Sequence, residues 1–155
     1  MNDNFDDFEY NDEEAEREYR EEEKRKRNHP LYIQSKEIIQ VVKALVESFR
    51  DEGIKEMYGS TMTESAYIIS AKLSGALSMN FYTGCMQNAA IIREHAEYLR
   101  VATSGLHMLA ESHTEYIVVL REEMEKFREL FKQWVKEIRE MDDLMDDEWG
   151  LFTRE

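Results

Sequence analysis

The chain has 155 residues and a formal net charge of −14, from 34 acidic and 20 basic side chains. This length suits one domain with tails, and a hydrophobic content of 42% is sufficient for a core. The negative charge disfavours nonspecific binding to nucleic acid or to an anionic membrane, because both need clustered cations.

Cysteine usage and hydropathy favour a cytoplasmic protein. The single cysteine, Cys85, cannot form an internal disulfide and suits a reducing compartment. The first ten residues contain neither a basic stretch nor an apolar one, so they do not resemble a signal peptide. No apolar run approaches the roughly twenty residues of a membrane span.

Residues 1–27 form an acidic tail. As far as Glu23 it contains twelve acids against two bases, and the basic run Lys24–Arg27 follows. Such a segment buries too little apolar surface to offset its ordering entropy, so we expect it to be disordered or loosely helical. Acid–base pairs four residues apart, such as Glu16 and Arg20, are compatible with a single charged helix.

Aromatic residues lie among the acids of this tail. This composition is typical of a segment that folds onto a basic partner with apolar pockets. The alternative is a solubilising tail in which the aromatic residues are incidental. The residues in question are Phe5, Phe8, Tyr10 and Tyr19.

Four further segments carry apolar residues at the spacing of a helix face. Asn28 or His29 can cap the first, with Pro30 in its opening turn. The small residues of the second allow a close approach of helix axes. The predicted bounds are Leu31–Arg50, Ser60–Leu77, Phe81–Leu109 and Ser112–Met141. Short loops favour antiparallel neighbours, so we predict an all-α, up-and-down four-helix bundle over residues 28–142.

The predicted helix faces and boundaries can be stated by residue. Gly53 is a candidate left-handed cap for the first helix, and Thr61 with Glu64 has capping-box spacing at the start of the second. Ser112 with Glu115 repeats that spacing before the fourth. The first face comprises Leu31, Ser35, Ile38, Val42, Leu45 and Phe49. The fourth comprises Tyr116, Leu120, Met124, Phe127, Phe131, Trp134, Ile138 and Met141.

Residues 143–155 are interpreted as an acidic spacer followed by an aromatic anchor. Negative charge at a helix C-terminus opposes the macrodipole and frays the last turn. The anchor residues are Trp149, Leu151 and Phe152. We expect them to dock on the bundle, on a sister subunit or in a partner pocket.

A search for catalytic or cofactor chemistry finds no candidate in the sequence. No glutamate is followed three residues later by histidine, as di-iron helical proteins require. His95 is interpreted as a partly exposed histidine of the bundle, and Cys85 as a small buried hydrophobe. We therefore predict that the protein is not an enzyme, and we assign no catalytic, cofactor or metal residue.

Clustered cations supply the candidate phosphate contacts. Arg93 and Arg100 lie seven residues apart and project from one helix face. The basic run of the tail is the second cluster, although its acidic neighbours favour local neutralisation. The candidates are Lys24, Arg25, Lys26, Arg27, Arg93 and Arg100.

Five blocks carry a resemblance to a known family: His29–Tyr32, Ser65–Gly75, Met86–Arg93, Tyr116–Val135 and Trp149–Phe152. Together they resemble a family of small conserved Bacteroidetes proteins, especially flavobacterial ones, without an assigned activity. This resemblance implies a four-helix bundle over roughly residues 29–152. More distantly, the helix order is similar to proteins of large-rRNA intervening sequences and to retroelement accessory proteins. These relatives form rings, which implies a tendency to assemble.

The sequence favours a non-catalytic interaction or regulatory protein. We expect a homo-oligomer that presents its acidic tail to a protein partner with a basic surface. The alternative is a nucleic-acid-associated accessory factor, which the net charge disfavours. In that case the candidate cations, with Lys43, Lys72 and Arg121, must converge on one face of an oligomer. We expect no membrane partner and no cofactor.

Overall fold

The computed structural model describes residues 12–109, 114–142 and 149–150. The elements within these residues are helical, which confirms the predicted all-α class. In chain order they are α1 (Asp12–Arg27), α2 (Pro30–Glu47), α3 (Glu52–Ile54), a π-helical turn (Lys55–Gly59), α4 (Ser60–Leu77), α5 (Tyr82–Met108) and α6 (Thr114–Arg139).

The four long helices α2, α4, α5 and α6 enclose the core. The packed pairs are α2–α4, α4–α5, α5–α6 and α6–α2. At one end of the α5–α6 pair the backbone N–H of Tyr82 donates to the carbonyl of Asp142 at 3.1 Å. At the other end Arg121 Nε donates to Thr103 Oγ1 at 3.1 Å. These two bonds show that α5 and α6 run antiparallel.

The predicted apolar face of α2 is confirmed. All six of its residues are buried, including Ser35 and Phe49. Ser35 is tolerated in the core because its hydroxyl donates to the Tyr32 carbonyl at 2.7 Å and lies 3.3 Å from Ser70 Oγ on α4. The small side chains of Ser35 and Ser70 therefore meet where α2 and α4 pack, as the small-residue content of α4 indicated.

The face of α6 is confirmed at its five central buried positions, while Phe131 and Met141 are only partly buried and its first position is exposed. Trp134 is 3% exposed and its ring lies 5.8 Å from that of Phe131, edge to face. Tyr116 was predicted to be buried, but it is exposed and Ile117 is buried instead. The reason is helical geometry: Tyr116 lies about 80° around the helix from Met124, whereas Ile117 lies only about 20° from it.

The boundary between α2 and α4 differs from the prediction. Gly53 does not cap α2, since it lies inside α3, and the C-cap residue Ser48 has right-handed backbone angles. The Asp51 carboxylate accepts from the Ile54 N–H at 3.0 Å and starts helical structure at Glu52, well before Ser60. Thr61 and Glu64 consequently lie within a helical run and do not begin one.

The N-terminal tail adopts the helical alternative over Asp12–Arg27. None of the α1 residues is buried. Three acids in its first turn and four bases in its last complement the helix macrodipole. His29 then caps α2, because its Nδ1 accepts from the Leu31 N–H at 3.2 Å. The proposed Ser112–Glu115 capping pair falls partly outside the described residues.

Candidate functional site

Helix α1 is the first candidate interaction surface. Most of its side chains face solvent, and Tyr19 is 65% exposed. Arg20 Nη2 donates to Glu16 Oε2 at 3.0 Å, which is the acid–base pair expected for a charged helix. Tyr19 lines a cleft along this helix together with Lys24 and Arg27. The described part of the acidic tail thus displays an aromatic ring beside charged groups.

The basic run at the end of α1 is divided between two environments. Lys26 forms an ion pair with Glu23, and the Lys26 side chain is largely covered. This pair agrees with the expected local neutralisation. Arg25 is exposed, whereas Lys24 and Arg27 border the cleft beside Tyr19. The four predicted phosphate contacts therefore do not point to one common site.

A cleft between α5 and α6 is the second candidate surface. It brings together Arg93 and Arg100, as their seven-residue spacing predicted, and adds Arg128 from α6. Sequence reasoning did not select Arg128, although its position directly after Phe127 places it beside the apolar face. The apolar lining comprises Ala96, Met124, Phe127 and Phe131.

The electrostatics of this cleft differ from those of the whole chain. Arg100 binds Glu97 through two hydrogen bonds of 2.7 and 3.1 Å, which lower the pKa of the Glu97 carboxyl. Arg128 pairs with Glu125. Within the described residues Arg93 has neither an ion pair nor a hydrogen bond from its side chain. Three arginines against two glutamates leave one net positive charge along the cleft.

The other cations of the nucleic-acid hypothesis do not join this cleft. Arg121 Nη2 donates to Ser104 Oγ at 2.9 Å, so its guanidinium is held beside α5. Lys43 lies 5.6 Å from the centroid of the Tyr67 ring, between α2 and α4. Lys72 is exposed on α4. A single chain therefore does not assemble the complete basic face.

The aromatic anchor is described only in part. Trp149 is 90% exposed, so its indole does not enter the core of this chain. Gly150 follows with a φ of 64°, a left-handed turn that an L side chain would strain. Leu151 and Phe152 lie outside the described residues, as do Phe5, Phe8 and Tyr10.

Four apolar side chains near the α5–α6 connection, together called the apolar patch, are exposed and were not predicted. Met108 is 85% exposed, and Leu109 beside it is also exposed. Val118 and Val119 add apolar surface from α6.

The two residues with reactive side chains, His95 and Cys85, make contacts within the fold. His95 Nδ1 lies 3.1 Å from Ser65 Oγ on α4, and the ring is half-buried. Cys85 is buried, and this burial raises the pKa of its thiol. Among residues 12–109, 114–142 and 149–150, no three histidine, cysteine or acidic side chains are grouped as metal ligands would be.

Comparisons with known proteins identify no relative of this chain. No family model, curated protein or solved structure matches the chain. The resemblance to Bacteroidetes proteins therefore stays a prediction. In the part of the chain that the structure describes, no helix combines the length and apolarity needed to cross a membrane.

Proposed function

We propose that this chain is a non-catalytic interaction module of the cytoplasm. It acts as a homo-oligomer and presents its acidic tail to a protein partner with a basic surface. The cyclic packing of α2, α4, α5 and α6, with short connections, is interpreted as an up-and-down four-helix bundle that carries this tail.

The observation behind this proposal is that α1 is a 16-residue helix that buries none of its residues. Helices in proteins gain most of their stability from packing an apolar face, and a 16-residue helix is only slightly longer than the roughly 12–15 residues below which isolated helices are marginal. Helix α1 instead relies on its terminal charges and on pairs such as Glu16–Arg20. A partner that covers Tyr19 and pairs with the surrounding acids would supply the missing packing.

The test is a pull-down that compares the full chain with residues 28–155. The deletion removes twelve acids and six bases, which changes the net charge by six. A matched full-length control, Glu37→Lys with Glu122→Lys and Glu140→Lys, changes the charge equally at exposed positions outside the tail. We expect the deletion alone to lose specific protein partners. Recovery of the same proteins by both shortened and full-length chains would contradict the role of the tail.

The arginine-lined cleft favours a second candidate function, that of a nucleic-acid accessory factor. Arg93, Arg100 and Arg128 converge there although the chain as a whole is acidic. In a ring, copies of this cleft on one face would repeat its one net positive charge around the assembly. Binding of RNA or DNA that weakens steeply with salt would support this function, and no binding at low salt would remove it.

A further inference from the structure

We propose that the cleft between α5 and α6 is a docking site for the chain's own N-terminal segment, residues 1–11. Its floor is formed by Ala96, Met124, Phe127 and Phe131, and its rim by Arg93, Arg100 and Arg128. The inference rests on the proposed interaction role of the tail. It adds the site that the tail occupies when no other partner is bound.

The size of the cleft argues against a metabolite as its occupant. Its volume is about 90 Å³. Pockets for small molecules typically measure roughly 300–1,000 Å³. A shallow apolar depression with charges along its edge instead suits one inserted side chain of a peptide whose remaining length lies along the rim.

The positive charge of the cleft favours the acidic segment, residues 1–11, as its occupant. Residues 1–11 carry four carboxylates and no basic side chain. The cleft has one net positive charge, because Arg100 and Arg128 are paired with Glu97 and Glu125 while Arg93 has no ion-pair partner among the described residues. Arg93 is thus the cation best placed to receive a carboxylate from the segment.

The aromatic rings on the cleft floor favour the same segment, because the segment also carries aromatic side chains. Phe5, Phe8 and Tyr10 alternate with its acids. Phe127 and Phe131 on the cleft floor have ring centroids 6.2 Å apart, and the partly exposed Phe131 can receive a third ring. By contrast, the surface between α2 and α6 has three glutamates, one of them the shared Glu125, against the single cation Lys126, so its net charge is negative.

The length of the segment is compatible with the distance between the two α5 arginines of the rim. Arg93 and Arg100 are separated by about 10 Å along α5, from a rise of about 1.5 Å per residue. Three extended residues span a similar distance, at about 3.3 Å each. A segment of eleven residues is therefore long enough to span the distance between these two arginines.

The experiment measures binding of a fluorescent peptide with the sequence of residues 1–11. The receptor is the full chain carrying Phe5→Ser, Phe8→Ser and Tyr10→Ser, so that its own segment does not compete. We expect saturable binding by anisotropy at low salt, weakened by added salt. Arg93→Glu in the receptor should weaken binding about tenfold, because it replaces an attraction by a repulsion. The matched control Lys72→Glu should leave binding within about twofold.

Two further probes separate this site from general anion binding. A peptide with its aromatic residues replaced by serine keeps every charge and should bind much more weakly. If it binds as well as the original, or if a single-stranded oligonucleotide binds equally, the proposal is overturned in favour of an anion surface. Absence of peptide binding, or binding insensitive to Arg93→Glu, also overturns it. None of these results depends on the pull-down, so failure of one proposal is distinguishable from failure of the other.

Discussion

Individual residues decide how closely the helices approach. At Gly105 a Cβ atom would lie 2.8 Å from the Tyr58 hydroxyl, so the π-helical turn packs there against the bare backbone of α5. Gly75 on α4 is different, because a Cβ atom would meet no atom within 4 Å. Only at the first glycine would an added Cβ atom force a neighbouring side chain to shift, although the two cannot be told apart by local sequence.

This contrast predicts opposite effects of the same substitution. We expect Gly75→Ala to raise the free energy of unfolding by about 0.5 kcal/mol through helix propensity. Gly105→Ala should lower it by about 1 kcal/mol, because Tyr58 must move. Tyr58→Phe removes the contacted oxygen and leaves the next ring atom at 3.6 Å, so the double variant should recover most of the loss. Urea denaturation of all four variants measures this coupling, and additive effects would contradict the contact.

His29 caps helix α2, and its protonation state couples the stability of the chain to pH. Its Nδ1 caps α2, which requires an unprotonated nitrogen. Burial lowers the pKa of His29 by more than the neighbouring Glu137 carboxylate raises it. The folded chain therefore binds a proton at this site less readily than the unfolded chain does.

Stability should consequently fall as the pH is lowered through about 6.5, the unfolded pKa of histidine. The contribution of the neutral cap is present above that pH and is lost below it. His29→Asn keeps a capping oxygen without this titration. We expect the stability of the variant relative to the parent to be higher at about pH 5 than at about pH 8, because only the parent loses its cap on protonation. Identical pH profiles in urea denaturation would exclude this role for His29.

At the scale of elements, periodicity predicted the helices better than their ends. The face of α2 and most of the face of α6 follow directly from apolar spacing. The start of helical structure at Glu52 was missed, because the cap at Asp51 precedes a stretch with weak apolar periodicity. The tail helix α1 was left between two alternatives, since its charges favour a helix while its composition favours disorder.

The two tryptophans test the core assignment of α6 directly. Trp134 is buried beside Phe131, so Trp134→Ala should lower the free energy of unfolding by about 3–5 kcal/mol. Trp149 is a matched control because its indole is exposed. We expect Trp149→Ala to change assembly or partner binding more than folding. Chemical denaturation compares the two, and an equal loss of stability would reverse the assignment.

At the scale of the whole molecule, three separate surfaces are candidates for contact with other chains. The tail, the arginine-lined cleft and the apolar patch around Met108 lie on different parts of one chain. The cleft collects Arg93 and Arg100 from α5 with Arg128 from α6, so only the first two were accessible to sequence reasoning. The exposure of the apolar patch was not predicted from the sequence. Whether an apolar side chain at the end of a helix pair is exposed depends on which other segments of the chain cover it.

The mass in solution tests the predicted oligomer. Light scattering on a sizing column would compare the full chain with residues 28–155. We expect a multiple of the 18.5 kDa chain for the full-length protein. The same multiple in the shortened chain would assign assembly to the helical core and leave the tail for partners. A monomer in both would discard the ring analogy and most of the case for nucleic-acid binding.

The amino-acid sequence by itself determined the helical class, the buried faces of α2 and α6 and the charge of the tail. These follow from a repeat of 3.6 residues and from composition, both of which are local properties. Tertiary structure decided that Arg128 joins Arg93 and Arg100, that Gly105 meets Tyr58 and that α1 buries none of its residues against the described part of the chain. Such features depend on which helices become neighbours, because contacts between distant residues arise only when the apolar faces pack together.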